Sequence, residues 1–78
     1  MPIIFGLLTV QPGTDRNAYN NIRNIPEVTE AYMTNGGYDM IIRMDIREGA
    51  DPKPVIERIG KVEGISGASY NYSFRSLL

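Results

Sequence analysis

Residues 3–10 read IIFGLLTV and are apolar on both alternating sets. In a strand, Ile3, Phe5 and Leu7 would face one way and Ile4, Leu8 and Val10 the other. Such a strand is normally covered on both faces. The chain has 78 residues to supply the cover, room for one domain spanning residues 1–78. A globule of this size buries only somewhat over ~60% of its unfolded surface and is marginal alone. Short chains lean on disulfides, metals or oligomerisation. Cysteine and histidine are both absent, which excludes disulfides, and carboxylates alone make poor zinc cages. Self-association remains as the way to finish the cover. A hydrophobic fraction of 42% suffices for a core and is too high for a disordered tail.

Eight basic and nine acidic residues leave a net charge of −1. They are scattered, so no surface tracks a phosphate backbone. No apolar run approaches the ~20 residues that span a bilayer. The start, MPIIFGLLTV, lacks the basic leader and small-residue cleavage site of a signal peptide. The expectation is a cytoplasmic protein that contacts no membrane.

QPG at 11–13 ends the first strand. Thr14 then stands as a helix cap before DRNAYNNIRNI, in which Ala18, Ile22 and Ile25 form one apolar stripe. Asn17, Asn20, Asn21 and Asn24 lower its intrinsic propensity, so packing must hold it. Pro26 stops that helix, and VTEAYMT at 28–34 predicts a second strand. NGG at 35–37 tolerates positive φ and predicts a turn. A third strand follows over Tyr38–Ile46, with Tyr38, Met40, Ile42, Met44 and Ile46 on one face and Asp39, Ile41, Arg43 and Asp45 on the other. Asp51 is placed to cap a second helix with Pro52 at its first position. Val55, Ile59 and Val62 form its stripe, which Ile56 widens. Gly64 closes it, and Ile65–Arg75 predicts a fourth strand, weakened early by Gly67.

The order is β-α-β-β-α-β, with an internal echo: IRNIPEVTEAY at 22–32 lines up with IGKVEGISGAS at 59–69. Two split β-α-β units pack as a ferredoxin-like α+β fold, a four-stranded antiparallel sheet with two helices on one face. The other face would present half of the first strand, Ile41, and the aromatics Tyr70, Tyr72 and Phe74 unless a bulge at Gly67 switches their side. So large an apolar patch is unusual on a soluble monomer. Homodimerisation, sheet against sheet, covers it most simply; a ligand cavity between the sheets is the alternative.

Without histidine or cysteine, the hydrolase triads and dyads that use them cannot be built. Asp39 and Asp45 stand ~20 Å apart along a strand, whereas paired glycosidase carboxylates need under ~10 Å. Arg43 is more simply the surface partner of Asp45. There is no Walker loop and no GxGxxG pattern. No catalytic residue, metal ligand or cofactor is assigned, and no enzyme is expected. Tyr70, Tyr72 and Phe74 beside Arg75 suggest an RNA platform, but the aromatic-basic signature of that fold is missing. In NGGYD, the bare main chain of Gly36 and Gly37 lies beside the Asp39 carboxylate. Either this is a plain hairpin turn with an exposed acid, or it suits a small zwitterion, amides meeting its carboxylate and Asp39 its ammonium.

The stretch EVTEAYMTNGGYDMIIRM resembles the strand–turn–strand of the effector-binding (RAM) domain in the Lrp/AsnC (leucine-responsive, feast-famine) transcriptional regulators. The Pro-Gly turn after the first strand and the junctions at Ile25–Val28 and Gly64–Ile65 are similar too. The resemblance implies sheet-to-sheet dimers arranged in rings, commonly octamers, with an amino-acid effector between neighbouring dimers. Carried over by position, the candidate ligand-binding residues are Gly36, Gly37, Tyr38, Asp39, Ala68 and Tyr70. Threonines are frequent in that family where Ala68 and Tyr70 stand here, a change that removes hydroxyls and adds bulk. Family members carry a helix-turn-helix for which these residues leave no room, which implies a stand-alone effector domain that touches no nucleic acid itself. Its expected partners are its own copies, an amino-acid effector and full-length Lrp/AsnC-type regulators. A ligand-free assembly protein and a dimeric α+β-barrel enzyme are the alternatives.

Overall fold

The computed structural model describes residues 3–35 and 39–73, with Tyr72 and Ser73 described by their backbone alone. Six elements follow in order: β1 (Ile3–Val10), α1 (Asp15–Arg23), β2 (Val28–Met33), β3 (Met40–Asp45), α2 (Lys53–Gly60) and β4 (Ile65–Ser73). The four strands form one antiparallel sheet in the order β2-β3-β1-β4. This is the expected ferredoxin-like arrangement, with β1 and β3 at the centre.

The core follows from alternation. Ile4, Leu8 and Val10 of β1 and Met40, Ile42 and Met44 of β3 are buried on one face, with Ile46 just past the strand. Ala18 and Ile22 of α1 and Val55 and Ile59 of α2 close over them in one cluster. The helices therefore share a face of the sheet, and their stripes at i and i+4 are the ones legible in the sequence. Gly6 interrupts the inward set of β1 for a steric reason. A Cβ there would stand 2.8 Å from Ile42 Cγ1 and 3.0 Å from Tyr70 Cε1. The missing side chain makes room for the Tyr70 ring.

The internal echo extends to individual hydrogen bonds. After α1, the Ile25 N–H donates to the Ile22 carbonyl (3.1 Å) and the Val28 N–H to Ile25 (3.0 Å). After α2, the Val62 N–H donates to Ile59 (3.1 Å) and the Ile65 N–H to Val62 (3.2 Å). Each following strand then bulges at its second residue: the register slips between Val28 and Glu30 in β2, and opposite Thr9/Val10 in β4. The bulged residues are Thr29 and Ser66, equivalent in the alignment. Their hydroxyls donate to carbonyls of the neighbouring strand, Thr29 to Arg43 (3.3 Å) and Ser66 to Thr9 (3.2 Å).

The bulge in β4 decides which way its side chains face. Ile65 pairs with inward Val10, and after the extra residue Tyr70 pairs with inward Gly6. Tyr70 thus packs against the core and does not join the open face. Tyr72 lies in the same register set, opposite Ile4, while Phe74 and Arg75 lie outside the described residues. The open side of β4 carries Gly67, Ser69 and Asn71.

Element ends differ from expectation where caps intervene. The Thr14 hydroxyl does not cap α1; it donates back to the Gln11 carbonyl at 2.7 Å. Asp51 does receive the Lys53 N–H at 3.0 Å, but Pro52 occupies the cap position and the helix starts at Lys53. α1 ends at Arg23 and leaves Ile25 buried in the turn beyond it. β3 starts at Met40, so Asp39 precedes the strand.

Gly64 has φ +95°, and a Cβ there would meet the Thr14 side chain, with Thr14 Cβ 2.8 Å away. Gly13, at φ +86°, faces open space. Gly13→Ala should therefore lose only the left-handed backbone cost of ~1–2 kcal/mol. Gly64→Ala should lose ~2–4 kcal/mol once the clash is added. Urea midpoints compare the two, and equal losses would contradict the packing role of Gly64.

Candidate functional site

Pairing between β1 and β3 reaches Leu8↔Met40 and stops there. Past that point the Val10 N–H still points toward the β3 side, and among the described residues no ladder pair extends to it. A buried amide without an acceptor is costly. Asp39 supplies the acceptor: its Oδ2 takes the Val10 N–H at 2.8 Å. The Asp39 N–H donates to the Leu8 carbonyl (3.0 Å), and its own carbonyl accepts the Thr34 N–H (2.9 Å). One residue thus ties the end of β2, the start of β3 and the end of β1 together. An acid at this position makes a short charge-assisted bond to an amide, which accounts for a carboxylate directly before a hydrophobic strand.

Gly36, Gly37 and Tyr38 lie outside the described residues. Ala68 is exposed and pairs with Leu8 from the opposite side of β1. Asp39 and Ala68 therefore bracket Leu8, about two strand spacings or ~10 Å apart. Tyr70 pairs with Gly6, farther from that end, with its ring on the helix side. Of the three described candidates, Asp39 and Ala68 share one end of the sheet, and Tyr70 is turned into the core.

The open face of the sheet is apolar at its centre and charged along β2 and β3. Phe5, 40% exposed, stands there with Leu7 and Ile41, and Tyr32 of β2, 56% exposed, is opposite Ile41. Arg43 holds Asp45 (Nε to Oδ1, 3.1 Å), the partner expected from their spacing, and also Glu30 (Nη1 to Oε2, 3.3 Å). The Tyr32 hydroxyl donates to the other oxygen of Glu30. Glu30 and Tyr32 had no signal of their own in the sequence, because their place depends on the bulge at Thr29. The bond to Glu30 and its negative charge raise the Tyr32 phenol above its ordinary value. Asp45 and then Glu30 hold the Arg43 guanidinium more firmly protonated. With Tyr70 turned inward, the aromatic platform needed for base stacking on this face is not formed by that residue.

A cleft of about 340 Å³ lies at the other end of the sheet, lined by Glu27, Asp45, Arg47, Asp51 and Val55 among others. A second, of about 220 Å³, lies between α1 and β2 beside Tyr19, Arg23 and Glu30. The Arg23 guanidinium stands 5.4 Å from the Tyr19 ring centre there. Neither of these two clefts is lined by Asp39, Ala68 or Tyr70. Among the described residues no group of three acids forms a metal cage, and no helix is long and apolar enough to cross a membrane.

Residues 4–78 match the family model described as the Lrp/AsnC ligand binding domain. The chain belongs to the Lrp/AsnC ligand-binding domain family. It is 28% identical over 65 residues to the HTH-type transcriptional regulator FL11 of Pyrococcus horikoshii, a match covering 83% of the chain and 43% of that regulator. The chain thus spans less than half the length of such relatives. Its fold superposes on the hypothetical protein PHS023 of Pyrococcus horikoshii with a TM-score of 0.85, at 27% identity and covering 99% and 94% of the two chains. It also superposes on the Neisseria meningitidis transcriptional regulator NMB0573, solved as an L-Met complex, with a TM-score of 0.81 at 15% identity, covering 99% of this chain and 52% of that one.

The Tyr32–Glu30 bond sets a pH dependence for the open face. The folded phenol lies above its ordinary value of 10.0, so the bond contributes fully below pH ~10 and is lost as pH rises through the higher folded value. Absorbance titration of the wild type minus Tyr32→Phe should place this phenol above 10, and Glu30→Gln should move it down. A Tyr32 that ionises at or below the ordinary value contradicts the bond.

Proposed function

We propose that this Lrp/AsnC ligand-binding domain is a small-molecule-responsive regulatory module. It takes an amino acid at the turn that Asp39 closes and covers its open sheet face with a second copy. The observation that carries the reading is the family match over residues 4–78, which names a ligand-binding domain. Three features support it. The neighbour NMB0573 was solved with L-Met. Asp39 presents a carboxylate at the expected turn. The open face has an apolar centre in Phe5, Leu7 and Ile41. Gly36, Gly37 and Tyr38 complete the proposed site, with Ala68 at its border.

Dimers close into a ring, commonly of eight subunits in this reading, and the effector sits at the seam between them. In this reading the module acts through protein contacts with its own copies and with full-length Lrp/AsnC-type regulators, as a non-enzymatic cytoplasmic protein. A second reading, a ligand-free assembly protein, is favoured by one observation: the apolar centre of the open face, with Phe5 exposed there, calls for a covering copy and for no ligand.

Solution mass and thermal unfolding across an amino-acid panel separate the two. A ligand at ten times its Kd adds about 1.4 kcal/mol to the bound form, which raises the midpoint by several degrees in a domain of this size. The regulatory reading expects that rise for at least one amino acid, its loss in Asp39→Ala, and a mass of two or more subunits at micromolar concentration. Phe5→Glu, which puts a charge at the centre of the covered face, should shift the mass toward one subunit. A wild-type protein that is a stable single subunit, or that responds to no amino acid, defeats the reading; assembly without any response supports the second.

A further inference from the structure

We infer that Asp39 shares its carboxylate between an effector ammonium and the Val10 amide, so that occupancy of the site is read out at the end of β1. This rests on the amino-acid reading above and adds how the site passes on its state. The carboxylate takes the Val10 N–H at 2.8 Å through Oδ2, beyond Leu8↔Met40, the last described pair of the β1–β3 ladder. On its other side the same stretch is held by β4's leader, through the Gln11 N–H and the Gly64 carbonyl at 2.7 Å. The Gln11 carbonyl in turn accepts both the N–H (3.2 Å) and the hydroxyl (2.7 Å) of Thr14, at the head of α1. Gly64 packs against that same Thr14 side chain.

The end of β1 is therefore gripped from two sides, and the two grips differ in kind. The Gly64 side is main chain to main chain and offers a cationic ligand nothing to compete for. The Asp39 side hangs on a negative charge that an ammonium also seeks. An ammonium placed on this carboxylate withdraws negative charge from the oxygen that holds Val10 and weakens that bond. Val10 and Gln11 then loosen from β3 while staying joined to Gly64 and Thr14, which carries the change toward the start of α1. Asp39 is thus a positioning residue in the unliganded protein and a ligand contact only in competition with that duty.

Amide hydrogen exchange read at Val10, with the Met44 amide as an internal reference, tests this in the full chain. Loss of a charge-assisted bond of ordinary strength corresponds to about 10- to 100-fold faster opening. Asp39→Ala should accelerate Val10 by that factor without ligand. Asp39→Asn retains an acceptor oxygen and should keep Val10 protected, while weakening binding of the responding amino acid about 10-fold or more. In the wild type, saturation with that amino acid should speed exchange at Val10 and leave Met44 unchanged. Equal Val10 exchange in the wild type and Asp39→Ala, or an amino acid that binds yet leaves Val10 unchanged or slower, overturns the inference and leaves the regulatory reading standing. Failure of every amino acid to bind removes both, and the unliganded comparison then shows whether the clamp itself exists.

Discussion

β1 lies between β3 and β4, and both of its faces are apolar, yet two short helices can roof only one of them. Every other element adjusts to that imbalance. The inward set, Ile4, Leu8 and Val10, is buried beneath the helices. The outward set, Ile3, Phe5 and Leu7, falls in the middle of the uncovered face, where Ile41 extends it across β3. Polar groups gather toward the sides: Glu30, Arg43 and Asp45 along β2 and β3, Ser69 and Asn71 along β4. An apolar centre with a polar rim is the anatomy of an interface. It is not that of a solvated antiparallel sheet, which alternates cleanly along every strand.

The duplicated framework explains both what could be read in advance and what could not. The apolar stripes of α1 and α2, the order of the elements and the echo between residues 22–32 and 59–69 were all legible, because each rests on periodicity. The echo even located the junctions, where Ile22–Ile25–Val28 and Ile59–Val62–Ile65 make the same pair of tight main-chain bonds. The facing of β4 was not legible. It turns on one extra residue, and Gly67 hinted at a bulge without saying which side would follow it. The structure puts the bulge at Ser66, matching Thr29 in the first unit, and so sends Tyr70 inward over Gly6. Had Gly6 carried any side chain, the ring would have had no room there.

The candidate site shows the same division. The residue types around Asp39 allowed either a plain hairpin turn or a site for a small zwitterion, and the family resemblance pointed to the same place. What no periodicity contains is the unmet need of a particular amide. The Val10 amide lies beyond Leu8↔Met40, the last described β1–β3 pair, and is met by the Asp39 side chain, which follows only once that register is fixed. Thr14 illustrates the converse. Its type and position suited a helix cap, but its hydroxyl bonds to Gln11 instead, where it stiffens the turn next to Gly64.

These constraints meet at one end of the sheet. Asp39, Val10, Gln11, Gly64 and Thr14 form a connected set of main-chain and side-chain bonds there, while the larger cleft opens at the opposite end. On the proposed reading a neighbouring copy supplies one wall of a site built on Asp39, so a ligand held at the seam favours the assembled form over the free subunit. By linkage, assembly must then strengthen ligand binding by the same factor. On the same reading the two steps are nested in so short a chain: covering the outward residues of β1 makes the dimer, and the seams between dimers in the ring are where a metabolite is sensed.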